Sequence, residues 1–374
     1  MGKKKILQIQ LLPLMSGVQK FMLTLLSGFD PNEYEIHVAC RPGGPLIREI
    51  KRRGYIYHPL YFFKHEISPL DAVVFYEIYR LCRKENFDIV HTHSSKPGFL
   101  GRLAARLAKV PLVIHTSNGS PIHPDQNCLT RRFYMELERF SDKFCDKVVF
   151  VNNYHRLFYL QHKLITPAKA VTIYNAITPE QTERIQQAAA KRKPMGKIVT
   201  IGSVCRFSKE KNILLMVLAA IHICRSRQDA DFIFAGDGEL FPLCRKIVVS
   251  NNLQDRIIFP GWKDEPAEIL AQLDVFLIYS SYEGMPLSVI EAMTAGLPIL
   301  SSDIPMLREL VDDSCGILIK PNDLDALETA LNNMLDLKAD LKQKGIMSKK
   351  KVEMLCSYDQ LVQAYRSLYV CEGK

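Results

Sequence analysis

Two glutamates, Glu283 and Glu291, stand eight positions apart around the start of an apolar run. Glu283 precedes Gly284-Met285-Pro286, and the run that begins at Leu287 predicts a buried helix with Glu291 on its second turn. A helix N-terminus presents unpaired N–H groups and the positive end of the helix dipole, so it attracts an anion. Carboxylates beside it accept hydrogen bonds from hydroxyl groups. The segment therefore indicates a pocket for a sugar joined through a diphosphate to a ribonucleoside.

Two basic residues, Arg206 and Lys211, lie five positions apart in the loop after the apolar run Ile198–Val204. Fixed cations bind phosphate oxygens strongly and stabilise the charge of a departing diphosphate, as a bound metal ion does in other enzymes. A solvated surface charge is the alternative for either residue alone. Because the pair precedes Glu283 and Glu291 in the chain, phosphate binding is the favoured interpretation.

Glycines follow two of the predicted strands, Gly17 after the first and Gly236 in Gly236-Asp237-Gly238. Without a side chain, the backbone at such a turn can approach a phosphate closely. Ordinary turn chemistry is the alternative explanation for a single glycine.

Short β-rich runs alternate with helical periods along nearly the whole chain, which is typical of parallel sheets covered by helices on both faces. The alternation weakens over the polar residues 178–196, which we interpret as a linker. The sequence thus predicts an α/β protein of two doubly wound, Rossmann-like domains with a cleft between them. The predicted parts are residues 1–177, the linker 178–196, residues 197–356, and a final helix within 357–374, about Ser357–Val370.

Taken in order, these motifs resemble those of retaining glycosyltransferases with the GT-B fold and an E-x7-E motif. This family, known as family four or group 1, builds bacterial capsules, O-antigens and lipid-linked oligosaccharides. The resemblance covers nearly the whole chain and is most specific over residues 198–300. It implies that the first domain binds an acceptor, that the second binds a nucleotide sugar, and that the final helix crosses back to the first domain.

The resemblance also implies roles for individual residues. Glu283 would orient the transferred sugar, and Arg206 and Lys211 would hold the diphosphate, so these three are the implied catalytic residues. Glu291 would hold the ribose. The other implied donor contacts are Gly17, Gly236, Gly261, Trp262, Gly284, Met285, Pro286 and Leu287.

The acceptor side is expected to involve His93, His115 and Asn118. Asn118 stands where many members of the family have a histidine, and an amide can hydrogen-bond but cannot titrate. His93 and its neighbour His91 lack an evident third metal ligand. Asp323 in Asp323-Leu324-Asp325 is predicted to cap a helix instead of binding a metal. We therefore expect neither a metal nor a cofactor.

The implied reaction is the retaining transfer of a hexose or an N-acetylhexosamine from a nucleotide sugar to a hydroxyl of a lipid-linked or polysaccharide acceptor. UDP is the expected nucleotide, and GDP with mannose is the second choice. Two alternatives remain open: a nucleotide-sugar epimerase of the same fold, and a catalytically silent protein that binds a nucleotide sugar. Donor turnover with and without an acceptor separates the three.

The chain has 374 residues and a net charge of +9, and the whole surplus lies in its first half. Residues 1–180 contain 25 basic and 15 acidic residues, against 24 and 25 in the remainder. Such a surplus can attract anionic lipids at the inner membrane surface or a pyrophosphate-linked lipid, and a solvated basic face is the alternative explanation. We find no nucleic-acid-binding motif. Ten scattered cysteines fit a reducing compartment, so we expect a cytoplasmic protein bound peripherally to the plasma membrane. The apolar stretch near Met1 is predicted to be a strand, Lys5–Leu11, and not a signal peptide.

Overall fold

The computed structural model describes residues 2–64, 66–123, 126–192 and 194–370. The chain forms two compact units, one of residues 1–175 together with 359–374 and one of residues 176–358. Each unit contains a parallel β-sheet with α-helices between successive strands, which confirms the predicted α/β class.

The first unit is built on strands that are buried on both faces, as in parallel sheets covered by helices. Leu7, Val90 and Val113 are fully buried in its core. The strands are β1 Lys4–Ile9, β2 Tyr34–Cys40, β3 Ile56–Pro59, β4 Ile89–His93, β5 Leu112–Ser117, β6 Lys147–Phe150 and β7 Ala170–Thr172. The helices before residue 176 are α1 Gly17–Leu26, α2 Pro45–Arg52, α3 Asp71–Glu85, α4 Ser95–Leu107, α5 Cys128–Ser141 and α6 Asn153–Gln161. In the described part of the unit, the strand order is β3-β2-β1-β4-β5-β6-β7.

The second unit repeats this architecture, with Val199, Phe232 and Leu277 in its core. Its helices are α7 Pro179–Ala190, α8 Ile213–Ser226, α9 Phe241–Ser250, α10 Ala267–Leu270, α11 Leu287–Thr294, α12 Pro305–Arg308, α13 Leu324–Asp336 and α14 Leu341–Leu355. Its strands are β8 Val199–Val204, β9 Ala230–Ala235, β10 Ile257–Ile258, β11 Val275–Ile278, β12 Ile299–Ser302 and β13 Gly316–Ile319. Among the described residues they pair in the order β10-β9-β8-β11-β12-β13.

Both sheets reverse their winding direction beside their first strand, between β1 and β4 and between β8 and β11. Loops at the carboxyl ends of the strands diverge at such a point and leave a crevice, which is where open α/β sheets bind ligands. We therefore expect the ligand-binding residues of each unit at the carboxyl edge of its own sheet.

Residues 178–196, interpreted as a linker from their polarity, are mostly helical and belong to the second unit. Thr178 caps α7, because its side chain accepts from the Gln181 N–H while the Gln181 side chain accepts from the Thr178 N–H. Pro179 occupies the first turn, where its missing N–H costs nothing. Ile185 is the buried contact of α7, so the polar composition belongs to the exposed face of a helix.

The final helix, α15, spans Tyr358–Leu368, and residues from Asp359 onward belong to the first unit. Its apolar face buries Leu361, Val362 and Tyr365, and the following Tyr369 is also fully buried. The Arg366 guanidinium donates to the Gly28 carbonyl at the end of α1. The first unit is thus assembled from two separate stretches of chain.

Most of the cysteines that the structure describes are buried and none of these is in a disulfide, as expected for small core residues. None of the helices within the described ranges has the length and apolarity that crossing a bilayer requires.

Candidate active site

Lys211 and Glu283 meet at the carboxyl edge of the second sheet. Lys211 ends a short 3-10 helix, Lys209–Lys211, after β8, and Glu283 lies in the loop after β11. Lys211 Nζ lies 2.5 Å from Glu283 Oε1, and the Ser280 hydroxyl donates to the same oxygen at 2.7 Å. Only 6% of the Glu283 side chain is exposed, so the ammonium group compensates a carboxylate removed from water. The structure therefore brings together two of the three predicted catalytic residues.

Arg206 lies in the loop after β8, as Lys211 does, but it does not pair with Glu283. Its guanidinium pairs with the Glu210 carboxylate, and 63% of the Arg206 side chain is exposed. The Glu210 carbonyl accepts from the Ser281 N–H at 2.9 Å, and the Ser281 hydroxyl lies 3.2 Å from the same carbonyl oxygen. These bonds fasten the loop after β8 to the loop after β11. Neither Glu210 nor Ser281 was predicted to have this role, because a contact through a backbone carbonyl leaves no signal in residue types.

Helix α11 begins at Leu287, directly after the Gly284-Met285-Pro286 loop. Among the described residues, no side chain caps its N-terminus and no acidic residue occupies its first turn. Its N-terminal dipole is therefore not neutralised by a carboxylate of the helix itself. Met285 in the loop and Leu287 at the start of α11 are buried, and Glu291 is 4% exposed on the second turn. The helix begins where the sequence predicted it, and anion binding at its N-terminus stays a prediction.

Gly236 and Gly261 join the neighbouring loops after β9 and β10. The Gly236 N–H donates to the Gly261 carbonyl at 2.9 Å. Gly236 has a φ of 154°, and a Cβ placed on it would lie 1.9 Å from the Cys205 carbonyl oxygen. Only glycine fits there, so the packing of the loops requires Gly236 whether or not a ligand contacts it.

Trp262 and Asp323, which the sequence analysis singled out, each form a hydrogen bond within the second unit. The Trp262 side chain is 46% exposed, and its Nε1 donates to an Asp264 carboxylate oxygen at 2.9 Å. Asp323 is the N-cap of α13, accepting from the Ala326 N–H at 3.0 Å, which confirms the predicted capping role.

The first unit has its own candidate residues at the carboxyl edge of its sheet. Gly17 is the first residue of α1, whose N-terminus is capped by no side chain in the described part of the chain. His93 ends β4, and its ring lies between Gln8 and Asn118. Burial lowers the pKa of His93 to about 3, so the ring is neutral at physiological pH. His93 and Asn118 are thus brought together, as hydrogen-bonded neighbours at 3.4 Å.

His115 forms no hydrogen bond with His93 or Asn118 among the described residues. Neighbouring residues of a strand point to opposite faces of a sheet, and Thr116 faces His91 while His115 faces α4. His115 Nδ1 lies 3.0 Å from the Thr92 hydroxyl, and Gly98 of α4 packs against the ring. Burial, and then the nearby Arg102 charge, hold its pKa well below the usual value. His115 is therefore a neutral packing residue beneath α4.

Both halves of the chain match known family models. The model described as "Glycosyltransferase Family 4" matches residues 15–181, and the one described as "Glycosyl transferases group 1" matches residues 183–351. In Escherichia coli, UDP-Gal:alpha-D-GlcNAc-diphosphoundecaprenol alpha-1,3-galactosyltransferase is 33% identical over 90% of this chain and 89% of its own. The N-acetyl-alpha-D-glucosaminyl L-malate synthase of Bacillus anthracis is 25% identical over 85% of this chain and 86% of its own.

Solved structures share the fold. The Anabaena protein HepE, in complex with UDP and glucose, aligns with a TM-score of 0.79 at 14% identity, covering 97% of this chain and 98% of its own. A glycosyltransferase from Rickettsia africae aligns with a TM-score of 0.76 at 18% identity, covering 99% and 98%. Two Rossmann-like units of this kind define the GT-B class of glycosyltransferases. Together with the matches in sequence, they establish that the chain belongs to the family-four, group 1 glycosyltransferases, which confirms the family and the fold predicted from the sequence.

Proposed function

We propose that this protein is a retaining, metal-independent glycosyltransferase that moves a hexose or N-acetylhexosamine from a UDP-sugar to a hydroxyl of a lipid-linked glycan. The observation that carries the proposal is the pairing of Lys211 with Glu283 beside the uncapped N-terminus of α11. A cation, a helix dipole and a sugar-binding carboxylate at one sheet edge supply the interactions that a nucleotide sugar needs.

In this proposal, the bond between the anomeric carbon and the phosphate oxygen breaks, and its electron pair leaves with UDP. The acceptor oxygen forms its bond to the same face of the anomeric carbon, and its proton passes to the leaving phosphate oxygen. Lys211, Arg206 and the N–H groups at the start of α11 stabilise the developing diphosphate charge. Glu283 orients the sugar and Glu291 binds the ribose. The Arg206 side chain is mostly solvent-exposed in its ion pair with Glu210, so turning it toward a diphosphate costs little.

The relative from Escherichia coli suggests the first substrates to test. By its name, that enzyme transfers galactose from UDP-Gal to alpha-D-GlcNAc-diphosphoundecaprenol, and it matches this chain over nearly the full length of both. We therefore propose UDP-galactose as the donor, an N-acetylglucosaminyl diphospholipid as the acceptor, and the biosynthesis of a surface polysaccharide as the role.

We further propose that helix α5 contacts an anionic membrane surface. Leu129, Phe133 and Phe140 recur at helical spacing and are all exposed. Arg132 is exposed beside this stripe, and Lys143 lies 5.9 Å from the centre of the Phe140 ring. Glu136 lies within the stripe, and its charge is compensated by an ion pair with Arg139. An apolar stripe bordered by cations is the pattern of a helix that lies in the headgroup region. The surplus positive charge of residues 1–180 supports the same partner.

A ligand panel tests the donor pocket. UDP, GDP and their sugars are added with EDTA to the wild type, to Glu291→Gln and to Glu353→Gln, a matched change at an exposed position of α14. A ligand that binds the native state raises the melting temperature. We expect UDP to stabilise the wild type and Glu353→Gln, and to bind Glu291→Gln about tenfold more weakly, because a charged hydrogen-bond acceptor is lost.

Product analysis then separates the proposed reaction from the alternatives. Release of UDP that depends on the acceptor, with an α-linked galactose seen by NMR, is the expected result. Conversion of the donor sugar without an acceptor would identify an epimerase. Binding of UDP without turnover on any donor and acceptor would identify a silent binding protein.

A further inference from the structure

A chain of hydrogen bonds runs inward from Asn118, at the carboxyl edge of the first sheet. The Asn118 amide nitrogen, Nδ2, donates to the Thr116 carbonyl at 3.2 Å and to His93 Nδ1 at 3.4 Å. His93 Nε2 lies 2.7 Å from Gln8 Oε1. Because an amide oxygen only accepts, His93 carries its proton on Nε2 and keeps a lone pair on Nδ1. The direction of these bonds is therefore fixed.

The hydrogen-bond chain continues to Tyr369, directly after the final helix, and to Tyr365 within α15. Gln8 Nε2 donates to the Tyr369 hydroxyl at 3.1 Å, and this hydroxyl lies 2.6 Å from His91 Nδ1. His91 Nε2 lies 2.7 Å from the Thr116 hydroxyl, which in turn lies 2.8 Å from the Tyr365 hydroxyl. The Tyr369 hydroxyl accepts from the amide, so it donates to His91, and the His91 Nε2 proton is directed to Thr116. Each bond thus determines the direction of the next.

All members of this chain except Asn118 are fully buried, and both histidines in it are neutral. Burial lowers the pKa of His93 to about 3 and the pKa of His91 well below its usual value. A buried neutral network tolerates no missing member, because the loss of one group leaves its neighbours without partners and away from water. The polar side chains of this hydrogen-bond chain are therefore fixed in a single conformation.

The outer end of the chain offers one group to a ligand. Both hydrogens of the Asn118 amide are engaged, by Thr116 and by His93. The remaining polar atom is Oδ1, for which the described part of the chain provides no hydrogen-bond partner. Asn118 is half-buried, so this oxygen can be reached from the edge of the sheet. A carbonyl oxygen held in this way accepts a hydrogen bond from a hydroxyl and offers none in return.

We propose, on the basis of the proposed function, that Tyr369 is a positioning residue for the acceptor site. Through Gln8 and His93, it holds the Asn118 side chain so that Oδ1 points at the acceptor. The oxygen accepts a hydrogen bond from a hydroxyl of the acceptor sugar. Asn118 thereby takes the place of a histidine in orienting the acceptor, and it does so without a proton that titrates.

The test compares Tyr369→Phe with Tyr57→Phe. Each change removes one tyrosine hydroxyl from the first unit, and the Tyr57 hydroxyl bonds only the Cys40 carbonyl, at 3.3 Å, among the partners that the structure describes. The substrates are UDP-galactose and a synthetic N-acetylglucosaminyl diphosphate on a short alkyl chain. For Tyr369→Phe we expect the KM for the acceptor to rise about tenfold, as when one oriented hydrogen bond is lost, with the KM for UDP-galactose unchanged. Tyr57→Phe should change neither.

A double-mutant cycle shows whether Tyr369 acts through Asn118. Asn118→Ala alone should raise the KM for the acceptor about tenfold or more, and adding Tyr369→Phe should then have no further effect. Additive effects, or equal effects of Tyr369→Phe and Tyr57→Phe, would overturn the proposal. Gln8→Met, which breaks the same route between Tyr369 and His93, serves as the second variant if Tyr369→Phe does not fold, and it should raise the KM for the acceptor as much.

Hydrogen exchange separates a failure of this proposal from a failure of the proposed function, since it needs no substrate. We expect faster exchange of residues 117–119 in Tyr369→Phe than in the wild type or in Tyr57→Phe. Unchanged exchange there would refute the positioning role even in an active enzyme. Faster exchange in a protein that shows no transfer from any donor would refute the proposed function and the role of Asn118 Oδ1 in acceptor binding. The link from Tyr369 to Asn118 would then stand as a feature of the fold alone.

Discussion

Lys211 and Glu283 form an ion pair between two loops that follow different strands of the second sheet, with Nζ and Oε1 2.5 Å apart. Both side chains are largely buried, so the pair has two separable consequences. It stabilises the fold, because neither charge is left alone in a poorly hydrated site. It also preorganises a cation and a carboxylate at the edge where the proposed donor binds.

Single and double substitutions separate these consequences. Lys211→Met leaves the Glu283 carboxylate without its cation, so we expect the second unit to lose about 3 kcal/mol of unfolding free energy. Adding Glu283→Gln removes the unpaired charge and should restore most of that stability. Transfer activity should stay at least about a hundredfold below the wild type in both proteins. Urea denaturation and UDP release measure the two effects, and equal stability of the single and double variants would contradict the structural part.

Gly17 and Gly236 provide a second contrast. A Cβ on Gly17 would meet no described atom within 4 Å, whereas a Cβ on Gly236 would overlap the Cys205 carbonyl oxygen. Gly17→Ala should therefore leave stability unchanged or raise it by about 0.5 kcal/mol, and Gly236→Ala should lower it by about 3 kcal/mol. If the donor phosphate approaches α1 as proposed, Gly17→Ala should still raise the KM for the donor. Thermal unfolding and steady-state kinetics distinguish the two, and an unaltered KM would remove Gly17 from the donor site.

Acid should destabilise the first unit before the second. Burial lowers the pKa of five histidines there, to about 3 for His93 and about 4 for His155, and below the usual value for His58, His91 and His115. The unfolded chain binds protons at these positions near pH 6.5 and the folded chain does not, so stability falls as the pH drops from about 6.5 toward 4. Each histidine contributes up to about 1.4 kcal/mol per pH unit.

The second unit is the internal control, since His222 is its single histidine. Hydrogen exchange at pH 7.5, 6.0 and 5.0, corrected for the intrinsic rates, should show protection lost first in peptides from residues 2–175. Equal loss in peptides from 176–358 would mean that the buried histidines do not dominate acid stability.

Binding of α5 to lipid can be tested with vesicles. Replacing Leu129 and Phe133 by glutamate reverses both the apolar and the electrostatic character of the exposed stripe. We expect the variant to lose co-sedimentation with phosphatidylglycerol vesicles, and the wild type to bind these more than phosphatidylcholine and less at high salt. Val249→Glu, at an exposed apolar position of α9, is the control and should bind as the wild type does. Retained binding of the α5 variant would exclude this helix as the contact.

The sequence was sufficient to predict most of the architecture, because each strand is a short apolar run between turn residues. It failed where burial depends on distant partners. β4 ends at His93, whose ring is buried through bonds to Gln8 and Asn118, and no residue pattern along the strand indicates these partners. α7 was overlooked because its residues are polar, although Thr178 and Gln181 are three positions apart, as in a capping box.

Within the candidate site, the sequence predicted which loops carry charged residues. It did not predict which of these residues form ion pairs with one another. Lys211 and Glu283 were both selected from motifs, and the structure joins them directly. Arg206 was expected to act with Lys211, yet it pairs with Glu210 instead. Helical spacing in the final helix does not show that the hydroxyls of Tyr365 and Tyr369 bond Thr116 and Gln8.

The division of the first unit into two stretches of chain sets an order of events during synthesis. A ribosome adds about 5–20 residues per second, so α15 emerges roughly 10–40 s after residue 175. During that interval, Gln8 and His91 lack Tyr369, and the first sheet stays incomplete on one face. The second unit is continuous and can finish folding while the first waits. A ribosome stalled anywhere before α15 therefore leaves the first unit, and not the second, without part of its core.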